Sequence, residues 1–295
     1  MVKAPDASSF TALTTQALSP GLAVDDSNSR SELVCSTLSC IISGVRLSQK
    51  FRKLFSFDVL LSFSEHVCRW THPVNAQRFL DRLDPAAWRQ LRKLYPPRPD
   101  ALKINRYDDA AYWVTINVER AQDLWLDRSS PLRILDLGCG AGYFLYVCQS
   151  LGHEGLGLDT SREPLFHGTT ALLNVRRTIS RIDPGVPLPD LGEKFDLVTA
   201  HRVCFHRTER LGNNNWKEWT AADWKFFIND IRTRFLKPEG RLLLDFNPRL
   251  DGSSFFTPEL GACFLGEGAR IFRSKALLAA DPSDRPRFKQ TETAH

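Results

Sequence analysis

The sequence predicts an α/β protein: a three-layer α/β/α sandwich around a mostly parallel, doubly wound sheet, with a helical extension on its N-terminal side. Three observations predict it. Short apolar runs of strand length recur at 133–137, 154–158, 178–182, 195–200 and 241–246. Segments with apolar residues at helical spacing separate them, across short loops. A glycine-rich turn, Gly138-Cys-Gly140-Ala-Gly142, joins the first run to a helix-like segment.

Taken in order, residues 1–30 are rich in Ser, Thr, Ala, Asp and Pro and lack periodicity, which predicts a flexible tail. From 31 to 70 the apolar positions (Leu33, Leu38, Ile41, Val45, then Phe55, Val59, Phe63) predict short helices, with Arg46, Lys50, Arg52 and Lys53 between them. Asp84 before Pro85 is a capping pair for a helix over 86–95. Pro96-Pro97-Arg98-Pro99 stops that helix and marks a boundary. The extension is thus placed at 31–100 and the main domain at 101–280. Within the main domain, helices are predicted over 108–125, 143–151 and 164–173. The strongest helical pattern puts Trp224, Phe227, Ile228, Ile231 and Phe235 on one face. A last helix is expected near 258–265 and a strand near 269–273. The residues beyond Arg273 read as too polar for a long final strand, which is expected to be short or missing, and 281–295 as a second tail.

Composition narrows the classes. The 295 residues carry a net charge of +5, 42% hydrophobic and 25% charged residues, which is ordinary for a globular protein. This mild basic balance does not call for nucleic acid. Seven cysteines, with no CxxC and no histidine at ligand spacing, argue against a disulfide framework and a metal site and fit a reduced, cytoplasmic chain. No apolar run reaches the ~18 residues of a membrane span, and no signal core follows a charged start.

The chemistry concentrates in 131–159. A buried strand leads into a glycine turn, then an apolar helix, then a strand ending at Asp159. An acid about 20 residues after such a turn suits a nucleotide sugar. Glycine serves the turn twice, by reaching positive φ and by letting a ligand approach the backbone. A dinucleotide fingerprint would need glycine at 143, where Tyr143 stands, and no phosphate-binding GxxxxGK[ST] occurs.

Asp136-Leu-Gly138-Cys-Gly140-Ala-Gly142 resembles the first motif of the class I S-adenosylmethionine-dependent methyltransferases, which have a Rossmann-like sheet. The resemblance spans about 110–273. The 195–200 strand and the LKPEGRLLL segment at 236–244 are similar to later family motifs, with Pro238-Glu239-Gly240 in place of a usual Pro-Gly-Gly. It implies S-adenosyl-L-methionine as cofactor, bound around Asp136, Gly138, Cys139, Gly140, Gly142, Asp159, Thr160 and Asp183. Asp136 is implied at the methionine end, Asp159 on the ribose hydroxyls and Asp183 on the adenine amine. Cys139 fills a variable slot as a small buried residue.

Ligands of such sheets bind beyond the carboxyl ends of the strands. The segment 200–207 is therefore the expected wall of the acceptor site. His201 and His206 are its general-base candidates, because imidazole accepts a proton near neutral pH. Arg202 and Arg207 are either bidentate donors for an acidic acceptor or equally surface charges, and Asp245 and Asn247 end the fifth strand at the same edge. Trp224 reads as core, and Trp216 and Trp219 either as a lid over an apolar acceptor or as simple packing, the more frequent use of tryptophan. The family's Asn-Pro-Pro-Tyr and Pro-Cys motifs are absent after the fourth strand. The expected reaction is methyl transfer to an oxygen or nitrogen of a small molecule, without nucleic acid, membrane span or metal. An NAD-binding oxidoreductase and a non-catalytic cofactor-sensing protein are the alternatives. The oligomeric state is left open.

Overall fold

Arg133–Leu137 forms β1, and its burial shows why three of its four inner positions are apolar. Ile134, Leu135 and Leu137 are fully buried. The structure, a computed structural model, describes residue 69 and residues 71–97, 106–160, 162–210, 216–247, 249 and 254–283. The chain divides into units 1–55 and 56–295, and the described residues all belong to the second. The tails and the helices expected before residue 69 lie outside the described residues.

The main sheet has seven strands in the order β3-β2-β1-β4-β7-β9-β8. They are β2 (Glu154–Asp159), β3 (Arg177–Ile179), β4 (Phe195–His201), β7 (Leu236–Asp245), β8 (Arg270–Phe272) and β9 (Lys275–Ala279), around β1. The pairs β1–β2, β1–β4, β2–β3 and β4–β7 are parallel. β9 runs antiparallel between β7 and β8. The order reverses between β1 and β4, where a doubly wound sheet opens a crevice.

Helices cover both faces. On one lie α1 (Gln77–Leu80), α2 (Pro85–Leu94), α3 (Ala110–Asp123) and α4 (Tyr143–Ser150), packed through Phe79, Trp88, Val114, Val118 and Leu145 on Ile134 and Leu197. On the other, α6 (Ala221–Asp230) and α7 (Pro258–Gly266) pack through Trp224, Phe227, Ile228 and Phe264 on Leu135, Leu137, Val198 and Leu244. Side chains of a strand alternate between faces, so 134 and 197 serve one layer while 135, 137 and 198 serve the other. α5 (Pro164–Leu172) links β2 to β3.

The predicted caps form. Asp84 accepts from the Ala86 amide at 2.8 Å. Thr220 and Asp223 make a reciprocal capping box at the start of α6.

One open expectation is resolved, and one element was not expected. The final strand is present: Lys275–Ala279 is β9, its last four residues buried between β7 and β8. The polar stretch that argued against it begins only at residue 281. A two-residue turn at Arg273-Ser274, with Arg273 at φ +50°, makes room for it. Between β4 and α6 the chain adds a two-stranded antiparallel sheet, β5 (His206–Arg210) with β6 (Trp216–Glu218). That stretch lacks apolar alternation, and only Gly212-Asn-Asn-Asn215 within it carries turn residues.

Gly157 in β2 shows how closely the glycine turn is seated. A Cβ there would fall 2.4 Å from the Cys139 sulfur. Gly157→Ala is therefore an overpacking change, which costs about 1–3 kcal/mol. The expected outcome is a melting temperature lower by roughly 2–12 °C. Adding Cys139→Ala should restore most of it. Differential scanning calorimetry of both variants checks this, and no restoration would place the strain elsewhere.

Candidate functional site

The turn after β1 depends on left-handed backbone. Gly138, Gly140 and Gly142 have φ of +69°, +54° and +83°. Any side chain would be strained at these angles. Space is also closed: a Cβ on Gly138 would lie 2.5 Å from a Val203 methyl. The Gly138 amide donates to the Leu158 carbonyl at 2.7 Å, so the turn leans on the end of β2. There Asp159 accepts from the Gly140 amide at 2.5 Å through one oxygen and from the Thr160 amide at 2.6 Å through the other. A carboxylate has about four acceptor positions, so each oxygen keeps one for a ligand.

A cavity of about 190 Å³ opens beside this turn, at the carboxyl edge of the sheet. Gly138, Leu158, Asp159 and Thr160 form one side, and Ser180, Arg181 and Ile182 a second. Val203, Cys204 and Phe205 form a third, with Arg162 also in the lining. Of the predicted cofactor residues, Gly138, Asp159 and Thr160 face this space. Gly140 and Gly142 shape the turn behind it, and the Cys139 side chain packs instead against Gly157. Asp183 stands one residue beyond the lining and pairs with Arg181 at 2.6 Å.

Asp136 lies deeper, 3% exposed. It belongs to a polar row across the strands on the α3 side. Register sets Asp136 beside Thr199, His201 beside Asp245, and Asp245 beside Lys275. Arg120 and Asp123, one helical turn apart on α3, close over this row. The Thr199 hydroxyl donates to Asp136 at 2.8 Å. Burial nevertheless raises the Asp136 pKa to about 7, opposed by that bond and by Arg120.

His201 sits in the same row. Its ring nitrogens are buried without hydrogen-bond partners, and Phe144 meets the ring edge-on at 4.6 Å. Burial, with Arg120, Lys275 and Arg202 nearby, pushes its pKa well below the usual imidazole value. It lines a separate cavity of about 20 Å³ with Arg120, Asp123, Asp245 and Lys275, which is room for about one water. His201 is therefore not brought together with Gly138, Asp159 and Thr160. His206 opens β5, and its side chain, like that of Arg207, lies outside the described residues. Trp219 is no lid: it is 3% exposed and packs on Phe205 and Trp224, with ring centroids at 5.0 and 4.8 Å. The Trp216 side chain lies outside the described residues.

The sequence reading missed the 3₁₀ turn Arg106–Asp108, whose Tyr107 reaches this edge. Its phenol feels the charges of Arg106, Arg120 and Asp159, and burial raises its pKa. Tyr107 stacks on Trp113 with centroids 4.3 Å apart and meets Phe166 edge-on. Each carbonyl of the turn accepts from a different helix. Trp113 Nε1 donates to Arg106 at 2.9 Å, the Tyr143 hydroxyl to Tyr107 at 2.7 Å, and Trp88 Nε1 to Asp108 at 3.2 Å. Tyr143, which breaks the dinucleotide pattern, was the one available signal.

A doubly wound sheet with a glycine turn bonded to the acid of β2 defines a nucleotide-binding protein of the α/β class. Residues 135–244 match the family model described as a methyltransferase domain. That match identifies 135–244 as a methyltransferase domain and supports a class I S-adenosylmethionine-dependent type, with S-adenosylmethionine as cofactor. It is 27% identical over 117 residues to a ubiquinone biosynthesis O-methyltransferase of Bartonella bacilliformis, covering 38% of this chain and 40% of that protein. It is also similar to the S-adenosylmethionine-bound amino pentose methyltransferase CalS10 of Micromonospora echinaspora. There the identity is 24%, over 46% of this chain and 51% of that one, with a TM-score of 0.33. DesVI of Streptomyces venezuelae is 15% identical over 66% of this chain and 98% of its own, with a TM-score of 0.38. The chain spans about half or less of the length of the first two. Among the described residues no helix is long and apolar enough to cross a membrane, and no group of three or more His, Cys, Asp or Glu could hold a metal.

Two expectations follow from the polar row. A carboxyl whose folded pKa is raised binds more protons folded than unfolded between about pH 4 and 7, so its contribution to stability is lost as pH rises through that window. Asp136→Asn removes the buried charge and keeps an acceptor for Thr199. Its ligand-free melting temperature should exceed wild type by several degrees at pH 8, with the gap closing toward pH 5. An equal gap at both values would be contrary evidence. His201→Phe exchanges a ring with two unpartnered nitrogens for an apolar ring, with the small cavity to take the added volume. Such exchanges are close to neutral or stabilising, so thermal unfolding should show an unchanged or higher melting temperature.

Proposed function

We propose that this chain is a methyltransferase that moves the methyl group of S-adenosylmethionine to an oxygen or nitrogen of a small molecule. The observation that carries this reading is Asp159, at the end of β2, bonded to the glycine turn while facing a cavity at the sheet's crevice. The residues present fit the cofactor. Asp159 keeps acceptor positions for two vicinal hydroxyls, as a ribose offers. Leu158, Ile182 and Phe205 supply apolar walls for a base, and Thr160 and Ser180 add polar edges. Asp136 is the acid we assign to the methionine end, while Arg120 lines the separate small cavity. When bound, S-adenosylmethionine would supply a methyl carbon to which an acceptor lone pair bonds in line as the carbon–sulfur bond breaks, the electron pair leaving on the sulfur of S-adenosylhomocysteine.

The chain's own residues then have two tasks. The strip Val203–Phe205 and the turn at Tyr107 hold the reactants in register, and alignment of this kind is worth several kcal/mol of barrier. A nitrogen or oxygen acceptor must also lose a proton. Of the two histidines at this edge, His206 is the one we assign to that step, since the His201 nitrogens face a separate cavity. The likeness to an O-methyltransferase favours oxygen over nitrogen. The residues that would select the acceptor lie in the 201–218 segment and Asn247.

Calorimetric titration with S-adenosylhomocysteine tests the reading. Wild type should bind with a Kd in the micromolar range, and NAD should give no heat. Asp159→Ala removes both the ribose acceptor and the bond to Gly140, so binding should weaken at least tenfold. Absence of binding by wild type would overturn the function, whereas unchanged binding by the variant would overturn only the role of Asp159.

A further inference from the structure

β4 is followed by a residue whose backbone does not suit it. Arg202 has φ +58°, a left-handed conformation that any residue with a Cβ adopts at a cost. Such residues persist only where their surroundings over-determine them. Arg202 is held at three points, all from the end of β7. Its amide donates to the Asp245 carbonyl at 2.7 Å. Its Nε lies 3.3 Å from the Asp245 carboxylate. Its own carbonyl accepts from Asn247 Nδ2 at 2.9 Å. Asp245 is itself fixed, 5% exposed and bonded by the Ser274 hydroxyl at 3.1 Å.

The next residue gives this strain its consequence. Val203 occupies the space that a Cβ on Gly138 would need, and Val203–Phe205 is one wall of the 190 Å³ cavity. With an ordinary right-handed or extended Arg202, the chain would leave β4 in another direction and Val203 would lose its seat. Arg202 does not itself line the cavity.

We propose that Arg202 is a positioning residue. Locked in the left-handed conformation by Asp245 and Asn247, it sets Val203–Phe205 as the wall between the cofactor and the acceptor. The role rests on the reading of the cavity as the cofactor site. It differs from the alternative chemistry of the same side chain, a guanidinium that pairs directly with an anionic ligand.

Two substitutions separate these. Arg202→Gly removes the guanidinium and makes the left-handed angle free, whereas Arg202→Ala removes the guanidinium and keeps the strain. Hydrogen exchange of the residue 202 amide, which is bonded to Asp245, reads the lock without any ligand. After correction for intrinsic rates, the amide should exchange roughly 5–30 times faster in the alanine variant than in the glycine variant, the cost of a left-handed Cβ expressed as a ratio. S-adenosylhomocysteine affinity by calorimetry should follow the same order, glycine variant above alanine variant, since apparent affinity scales with the competent population. Equal exchange in both would overturn the proposal. So would equal loss of affinity in both, which would assign the effect to the guanidinium. Failure of wild type to bind S-adenosylhomocysteine would remove the cofactor reading and leave the exchange ranking to decide the lock.

Discussion

The bond between Asp159 and the Gly140 amide is the constraint on which the rest of the site depends. β1 and β2 are parallel neighbours, and their carboxyl ends could splay without a tie. One carboxylate oxygen holds the turn after β1, the other holds the residue after β2. A side chain at 138, 140 or 142 would break the geometry that brings the amide within reach. The acid is thus structural before any ligand arrives, and its remaining lone pairs are aimed because the first two are used.

From that tie the layers follow. Leu135 and Leu137 face α6 and α7, while Ile134 and Asp136 face α3 and α4. The alternation that buries leucine on one side puts a carboxyl on the other. Repeated at Thr199, His201, Asp245 and Lys275, it builds a charged layer beneath α3. Burying charge costs free energy unless it is paired. Here Arg120, Asp123 and Lys275 compensate incompletely, as the raised pKa of Asp136 and the unpartnered ring of His201 show.

The local parts of this arrangement were legible in the sequence. The β1–turn–α4–β2 unit, the capping pair at Asp84-Pro85 and the face of α6 each depend on neighbours a few residues away. What was not legible depends on register between distant segments. β9 was obscured because its five residues adjoin a polar end. The β5–β6 pair has no alternation to read. His201 looked like an exposed base at a strand end, yet the parity of β4 turns it under α3. Arg120 reads as an ordinary helix-surface charge until α3 is laid over the sheet. Arg202 carries no mark of its backbone angle, since that angle is imposed by Asp245 and Asn247 more than forty positions away.

The turn at Arg106–Asp108 has a thermodynamic consequence of its own. Its three successive carbonyls are each held by a side chain from another part of the fold, two of them buried tryptophans. The fold itself therefore fixes these three residues. A ligand that bound at this edge would not have to freeze them, and its binding entropy would be spared that term.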